Sequence, residues 1–226
     1  MLLPLLSAAL AVPPPIVGGT ETGSYRQVGH LFAYRQSDGS VYGFCSGTLI
    51  HSSWVLTAAH CLEGNQAAQA LQNQGFDIYF ISATDVYYAL NNGSYLAMME
   101  ADDLIPHPSY TGNNNIRYDI GLMHLTSPIT NITPMPLNTS SPTNSWSEIT
   151  YVGFGVTGPS QEGSGVRRTV DVPFYGVDSQ FIYTKDPSGE KNICSGDSGG
   201  AALRIVNGQP VLVGVNSFGY NENGGQ

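Results

Sequence analysis

The sequence predicts an all-β protein, and three observations carry that expectation. Glycine and proline are abundant, 27 and 14 residues of 226, and they punctuate the chain into short segments. Between the breaks lie short runs rich in Val, Ile, Tyr, Phe and Thr, bounded by Gly, Asn and Pro clusters, as strands are. No long stretch carries the apolar period of an amphipathic helix.

Met1 to Ala11 is an apolar run that ends in Ala9-Leu10-Ala11, a small-residue pattern that a signal peptidase accepts. It is too short to span a bilayer, which takes about 20 residues, so residues 1–15 are expected to be a signal peptide plus a short propeptide ending in Val12-Pro13-Pro14-Pro15, and the protein is expected to be secreted. The positively charged segment that usually opens a signal peptide is absent. Gln66 to Gln74 reads either as one short helix or as a surface loop. Asp77 to Ile81, Ile149 to Val152 and Val211 to Val215 read as strands. Ser127 to Trp146, rich in Pro, Thr, Ser and Asn, reads as a connection. The remaining length suits one large all-β unit or two small barrels with a real core.

The net charge is −9 with only eight Lys and Arg residues. That excludes a nucleic-acid or anionic-membrane surface, because phosphates need cationic side chains to meet them. There is no His-Glu-x-x-His motif, and three cysteines at these spacings do not build a metal cage. No metal site and no cofactor are expected.

The chemistry concentrates in three segments: Thr57-Ala58-Ala59-His60-Cys61, Asp119-Ile120-Gly121-Leu122, and Gly196-Asp197-Ser198-Gly199-Gly200. A serine hydroxyl is a weak nucleophile and needs a base to take its proton as it attacks; imidazole, with an ordinary pKa near 6.5, suits that task. A carboxylate must then hold the other ring nitrogen, which fixes the tautomer and stabilises the imidazolium. Ser198, His60 and Asp119 are the candidates for nucleophile, base and orienting acid. Glycines around Ser198 let the backbone turn sharply and bring N–H groups toward a developing oxyanion, with Gly196 N–H and Ser198 N–H as the expected pair. Singly, each residue has a plainer reading: Ser198 as part of a turn, Asp119 as a strand cap or surface charge, His60 as a core histidine. His30, His51, His107 and His124 lack such company and read as structural or surface residues. Three sequons, Asn92-Gly93-Ser94, Asn131-Ile132-Thr133 and Asn138-Thr139-Ser140, fit N-glycosylation acceptors, although chance produces them in a chain rich in Asn, Ser and Thr.

Taken in order, the segments resemble the trypsin and chymotrypsin family of secreted serine peptidases. The resemblance runs over nearly the whole chain through Ile16-Val17-Gly18-Gly19, Cys45-Ser46-Gly47-Thr48-Leu49-Ile50, Trp54 to Cys61, His107-Pro108-Ser109-Tyr110, Asp119 to Leu122, Gly153-Phe154-Gly155, Cys194 to Gly200 and Ser217-Phe218-Gly219. It implies a peptidase domain over residues 16–226, with a first six-stranded antiparallel barrel at about 16–130, a crossover at about 127–146, a second barrel at about 147–226, and the active-site cleft between them. It further implies a monomeric endopeptidase that acts on protein or peptide substrates through an acyl-enzyme.

The resemblance also assigns roles to single residues. Cleavage before Ile16 would free an amine that pairs with Asp197 and orders the oxyanion turn, so a zymogen is expected; no Lys or Arg precedes Ile16, which speaks against a trypsin-like activator. Cys45 and Cys61 correspond to a family disulfide. Cys194 corresponds to a cysteine whose partner lies just beyond Gly219, where this sequence has none. Family members continue with a last strand and a helix, so the second barrel is expected to be cut short at Gln226, and a catalytically impaired binding protein on the same scaffold is the alternative. At the base of the substrate pocket, trypsin-like members carry an aspartate six positions before the nucleophile. Here that position is Asn192, with Ile193 beside it. A neutral amide cannot match a desolvated ammonium ion, so uncharged or apolar P1 side chains are expected rather than Lys or Arg. Ser217, Phe218 and Gly219 are expected to bind extended substrate by strand addition.

Overall fold

The structure, a computed structural model, describes residues 15–112, 116–143, 145–156 and 163–219. The expected leader up to residue 14, and the 220–226 segment on which the expected truncation turns, lie outside the described residues.

The chain opens with a single turn, α1 (Pro15–Gly18), and a short strand, β1 (Thr20–Glu21). Then come β2 (Val28–Arg35), β3 (Ser40–His51), β4 (Trp54–Thr57), α2 (Ala59–Leu62), α3 (Ala68–Gln72), β5 (Asp77–Ser82), α4 (Val86–Asn92), β6 (Ala97–Pro106) and β7 (Gly121–Leu125). The second half carries β8 (Glu148–Gly153), β9 (Arg168–Val177), β10 (Ile182–Thr184), β11 (Ala201–Val206) and β12 (Gln209–Val215). The strands expected from Asp77, Ile149 and Val211 are β5, β8 and β12, and the Gln66 to Gln74 stretch holds the short helix α3.

Six strands close into an antiparallel barrel in the order β2-β3-β4-β7-β6-β5. Side chains alternate across each strand, so in β7 Gly121, Met123 and Leu125 point inward while Leu122 and His124 do not. The barrel interior packs Leu31, Leu49, Val55, Ile78, Phe80 and Met123, all fully buried. The second unit is a six-stranded antiparallel sheet along β1-β9-β8-β11-β12, with β10 paired to β9. Its faces are covered by two further clusters, one of which buries Ile16 with Trp146, Ile149, Tyr151, Val170 and Val172. No helix among the described residues is long and apolar enough to cross a membrane.

The connection between the halves is stitched to both. Met135 N donates to Leu49 O in the first barrel, while Asn138 N donates to Leu212 O and Leu212 N to Pro136 O in the second unit. A stronger tie is Arg167, only 2% exposed, just ahead of β9. Its guanidinium donates to Val28 O, Ser24 O and Ser82 Oγ and lies 5.4 Å over the Phe154 ring. Burial, with Arg26 nearby, pulls its pKa down to about 10, so it remains charged while held by neutral oxygens.

The longest helix among the described residues, α4, went unread in the sequence, as did the single turns α1 and α2. Asp85 caps α4 by accepting from Tyr88 N at 2.9 Å, and Gly93 ends it in the left-handed conformation at φ 64°. The cap signals were present, but Val86, Tyr87 and Tyr88 between them are strand-forming residues.

Candidate active site

The base is set by one turn of helix. Ala58 is extended, and α2 then buries Ala59, Cys61 and Leu62, so the ring of His60 is the part of the turn left toward solvent, 31% exposed. Cys45 and Cys61 form a disulfide across a separation of 16 residues, with Cα atoms 6.1 Å apart. That bond ties β3 to the turn bearing His60. The two sulfurs and a His60 nitrogen lie within 4.8 Å of one another, yet sulfurs joined to each other are not thiolates and do not make a metal site.

Asp119 lies two residues ahead of β7, its side chain 4% exposed. Its Oδ2 is 2.7 Å from His60 Nδ1, and its Oδ1 accepts from His60 N at 2.9 Å. Ser217 Oγ also donates to Oδ2, at 2.5 Å. Burial alone would raise the Asp119 pKa; the His60 ring, its charge, the Ser217 hydroxyl and the His60 amide outweigh it and lower the pKa below 3.8. The carboxylate is therefore ionised at neutral pH and clamps both the backbone and the ring of His60. The backbone here is strained: Tyr118 has φ 60°, and Ile120 N donates to Tyr118 O at 2.7 Å across Asp119. The Tyr118 ring stacks on His107, centroids 5.0 Å apart.

The Ser198 turn is folded against the first barrel. Ser46 N donates to Ser198 O at 2.8 Å and Ser46 Oγ to Gly196 O at 2.8 Å, while Gly199 N donates to Asn216 O. Gly196 and Gly199 have φ values of 91° and 79°. At Gly199 a Cβ would lie 2.0 Å from Thr57 Oγ1 and 3.1 Å from Ala58 N, so only glycine brings the turn this close to the segment that leads into His60. Asp197, fully buried, accepts from Gly155 N at 2.8 Å and from Cys194 N at 2.9 Å. Burial pushes its pKa up to about 7, the two amides and Arg168 offsetting part of the effect. Ile16 N is still a peptide nitrogen here, so the carboxyl is held by backbone N–H groups, while the Ile16 side chain is buried in the second unit.

The expected specificity residues also come together. A Cβ on Gly219 would lie 3.5 Å from Asn192 Oδ1 and 3.6 Å from Ile193 Cγ1. These residues, with Ser217 and Phe218, line a cleft of about 990 Å³, and Phe218 meets Phe181 edge-on with centroids 5.5 Å apart. Phe181 was missed from sequence, since nothing local marks it as facing Phe218. The role of the Ser217 side chain was missed too: its hydroxyl lies on Asp119. Cys194 is free and half-buried, and burial raises its thiol pKa.

A family model described as Trypsin matches residues 16–226. Among curated relatives, the chain is 29% identical over 230 residues to Trypsin-10 of Gadus morhua, a match that covers 96% of this chain and 85% of that protein. It is 27% identical over 223 residues to Chymotrypsin-like elastase family member 1 of Homo sapiens, covering 90% and 81%.

Proposed function

We propose a mechanism for a chain that belongs to the trypsin family of serine peptidases: endopeptidase hydrolysis of protein or peptide substrates through an acyl-enzyme. The observation that carries this reading is the contact of 2.7 Å between His60 Nδ1 and the shielded Asp119 carboxylate, with the Gly196 to Gly200 turn packed beside it. In this mechanism Ser198 Oγ attacks the scissile carbonyl carbon as His60 Nε2 takes the hydroxyl proton. The imidazolium is stabilised by its Nδ1–H bond to Asp119. The carbonyl oxygen becomes an oxyanion facing Gly196 N–H and Ser198 N–H. As the intermediate collapses, the C–N bond breaks and His60 returns the proton to the leaving amine. Water, deprotonated by the same imidazole, then releases the acid and restores Ser198.

Activation belongs to the same reading. Two backbone amides and Arg168 offset the burial of Asp197 only in part, which favours the arrival of a directly paired cation, and a free Ile16 amine would supply it. Ile16, a β-branched residue, sits at φ 42°, a strained conformation that cleavage of the preceding bond would release. Asn192 and Ile193 at the pocket favour uncharged or apolar P1 side chains. Synthesis as a secreted, monomeric zymogen, with its barrels divided near the 127–146 crossover, completes the proposal.

The test is labelling of the processed protein with a fluorophosphonate probe, with Ser198→Ala as control. Labelling that disappears in the variant is expected. Equal labelling of both proteins, or none of the processed wild type, would reject the mechanism.

A further inference from the structure

The three sequons are not equivalent once folded. Asn138 is half-buried and bound up with its own sequon: Nδ2 donates to Ser140 O, and Oδ1 accepts from Ser140 N and Oγ. Asn131 donates to Leu96 O at 2.7 Å, and the middle residue of its sequon, Ile132, is 4% exposed in the core of the first barrel. Asn92, Gly93 and Ser94 differ: all three are exposed, at the end of α4, where Gly93 turns the chain away from the helix.

The surroundings of Asn92 point to what covers them. Tyr88, one helical turn before Asn92 and on the same face, is 63% exposed; Tyr95, just past the sequon, is 39% exposed, and Tyr87 44%. The Tyr87 ring turns instead toward Gly43 and Gly165, which leaves Tyr88 on the face of Asn92 and Tyr95 just past the sequon as the exposed rings that an apolar surface can cover. The apolar C–H face of a pyranose ring fits such a platform. Asn92 Nδ2 donates to Tyr88 O at 2.8 Å, which holds the carboxamide over this turn. All three asparagines donate from Nδ2, Asn131 to Leu96 O and Asn138 to Ser140 O, so it is the exposure of the whole sequon that sets Asn92 apart.

We propose that Asn92 is an N-glycosylation site, taking an oligosaccharide whose first sugar lies over Tyr88 and Tyr95. The proposal rests on the secretory reading above, since the donor is a lipid pyrophosphate-linked oligosaccharide met only in that pathway. Asn92 Nδ2 attacks the anomeric carbon of the donor. The N–C bond forms, the C–O bond to pyrophosphate breaks, one amide proton passes to a base of the transferase, and the lipid pyrophosphate leaves. The glycan then shields Tyr88 on α4 and Tyr95 just beyond it, which would otherwise meet solvent.

The experiment expresses the full chain in eukaryotic cells twice, with its own amino terminus and behind a supplied signal peptide. The secreted protein is expected to shift in mobility on treatment with peptide N-glycosidase, with position 92 recovered as aspartate by mass spectrometry. Asn92→Gln and Ser94→Ala should each abolish the site 92 signal, Ser94→Thr should retain it, and Asn131→Gln with Asn138→Gln should leave it unchanged. Secreted protein unmodified at position 92 overturns the proposal. Glycosylation at 92 behind the supplied peptide with no export from the native terminus rejects the secretory reading and leaves the acceptor site standing. For the covering sugar, Tyr88 and Tyr95 should iodinate severalfold more slowly before deglycosylation than after; equal rates would overturn that part.

Discussion

Replacing Asp197 with asparagine should invert the pH dependence of stability in the uncleaved chain. Asp197 is fully buried and its pKa rises from 3.8 to about 7 because burial penalises the charged form. A carboxyl raised on folding binds more protons in the native state, so between pH 4 and 7 stability falls as pH rises, and the loss is complete above 7. The difference between the two pKa values corresponds to roughly 4 kcal/mol. His30 acts in the opposite sense. It is 1% exposed, both ring nitrogens lie without a hydrogen bond of ordinary geometry, and burial, slightly offset by the Cys45 backbone, lowers its pKa from 6.5 to about 4. The unfolded chain then binds the extra proton, so stability rises with pH from about 4 to 6.5, by roughly 3 kcal/mol. In the wild type these two slopes nearly cancel.

The assay is urea unfolding from pH 4 to 8 on protein that retains the residues before Ile16, in a Ser198→Ala background to prevent self-digestion. The wild type should change little across the range, losing about 1 kcal/mol. Asp197→Asn keeps only the His30 contribution and should gain roughly 3 kcal/mol between the same limits. Its absolute stability will be lower at acid pH, because an amide presents a donor where the carboxyl accepted from Gly155 N or Cys194 N. The other titrating groups are common to both proteins and drop out of the comparison. Parallel profiles for the two proteins would refute the reasoning, since they would mean that Asp197 does not titrate between its unfolded and buried values.

Arg167→Ala should lower stability by about 3–5 kcal/mol in urea unfolding, because it leaves Val28 O, Ser24 O and Ser82 Oγ without their donor between the two halves. Ser217→Ala should reduce kcat about tenfold with KM little changed, by removing a hydrogen bond to the charged Asp119 carboxylate; steady-state kinetics on a peptide substrate checks this. Reducing the Cys45–Cys61 bond closes no loop of 16 residues in the unfolded chain and should cost roughly 3 kcal/mol, measured as the shift in urea midpoint between oxidised and reduced protein. Asn192→Asp should move cleavage toward Lys and Arg in a peptide library, and an unchanged preference would remove Asn192 from the pocket base.

The candidate site stood out in the sequence more than the packing around it, and the reason is chemical. A nucleophile, a base and an orienting carboxylate admit few residue types, and Ser198, His60 and Asp119 each sit in a segment whose neighbours are fixed by tight geometry, such as Gly199 against Thr57. Strands were legible where β-branched runs met turn residues, as in β5, β8 and β12. Closure of the barrel was not, because β2 pairs with β5 through residues some fifty positions apart, such as His30 with Ile81, and no local pattern states a partner. Arg167 shows the same limit in sharper form. In sequence it is one of two adjacent arginines where a strand begins, and surface exposure is the natural expectation for a cation. Its burial depends on acceptors 85 to 143 positions away. His30 is a similar case: a Cβ on Gly43 would meet its Nε2 at 2.2 Å, so the small residue on β3 makes the space that the large one on β2 fills. Such pairings constrain volume and hydrogen bonding rather than identity, and many sequences satisfy them. Of the acid and base that titrate in opposite senses, Asp197 stood in a segment the sequence marked out and His30, in the barrel wall, did not, but the full burial that shifts both was legible for neither. It follows that the pH response of this fold is set by burial, which only the assembled strands determine, while the reaction it is proposed to perform is set by residues whose segments, taken together in order, mark them out.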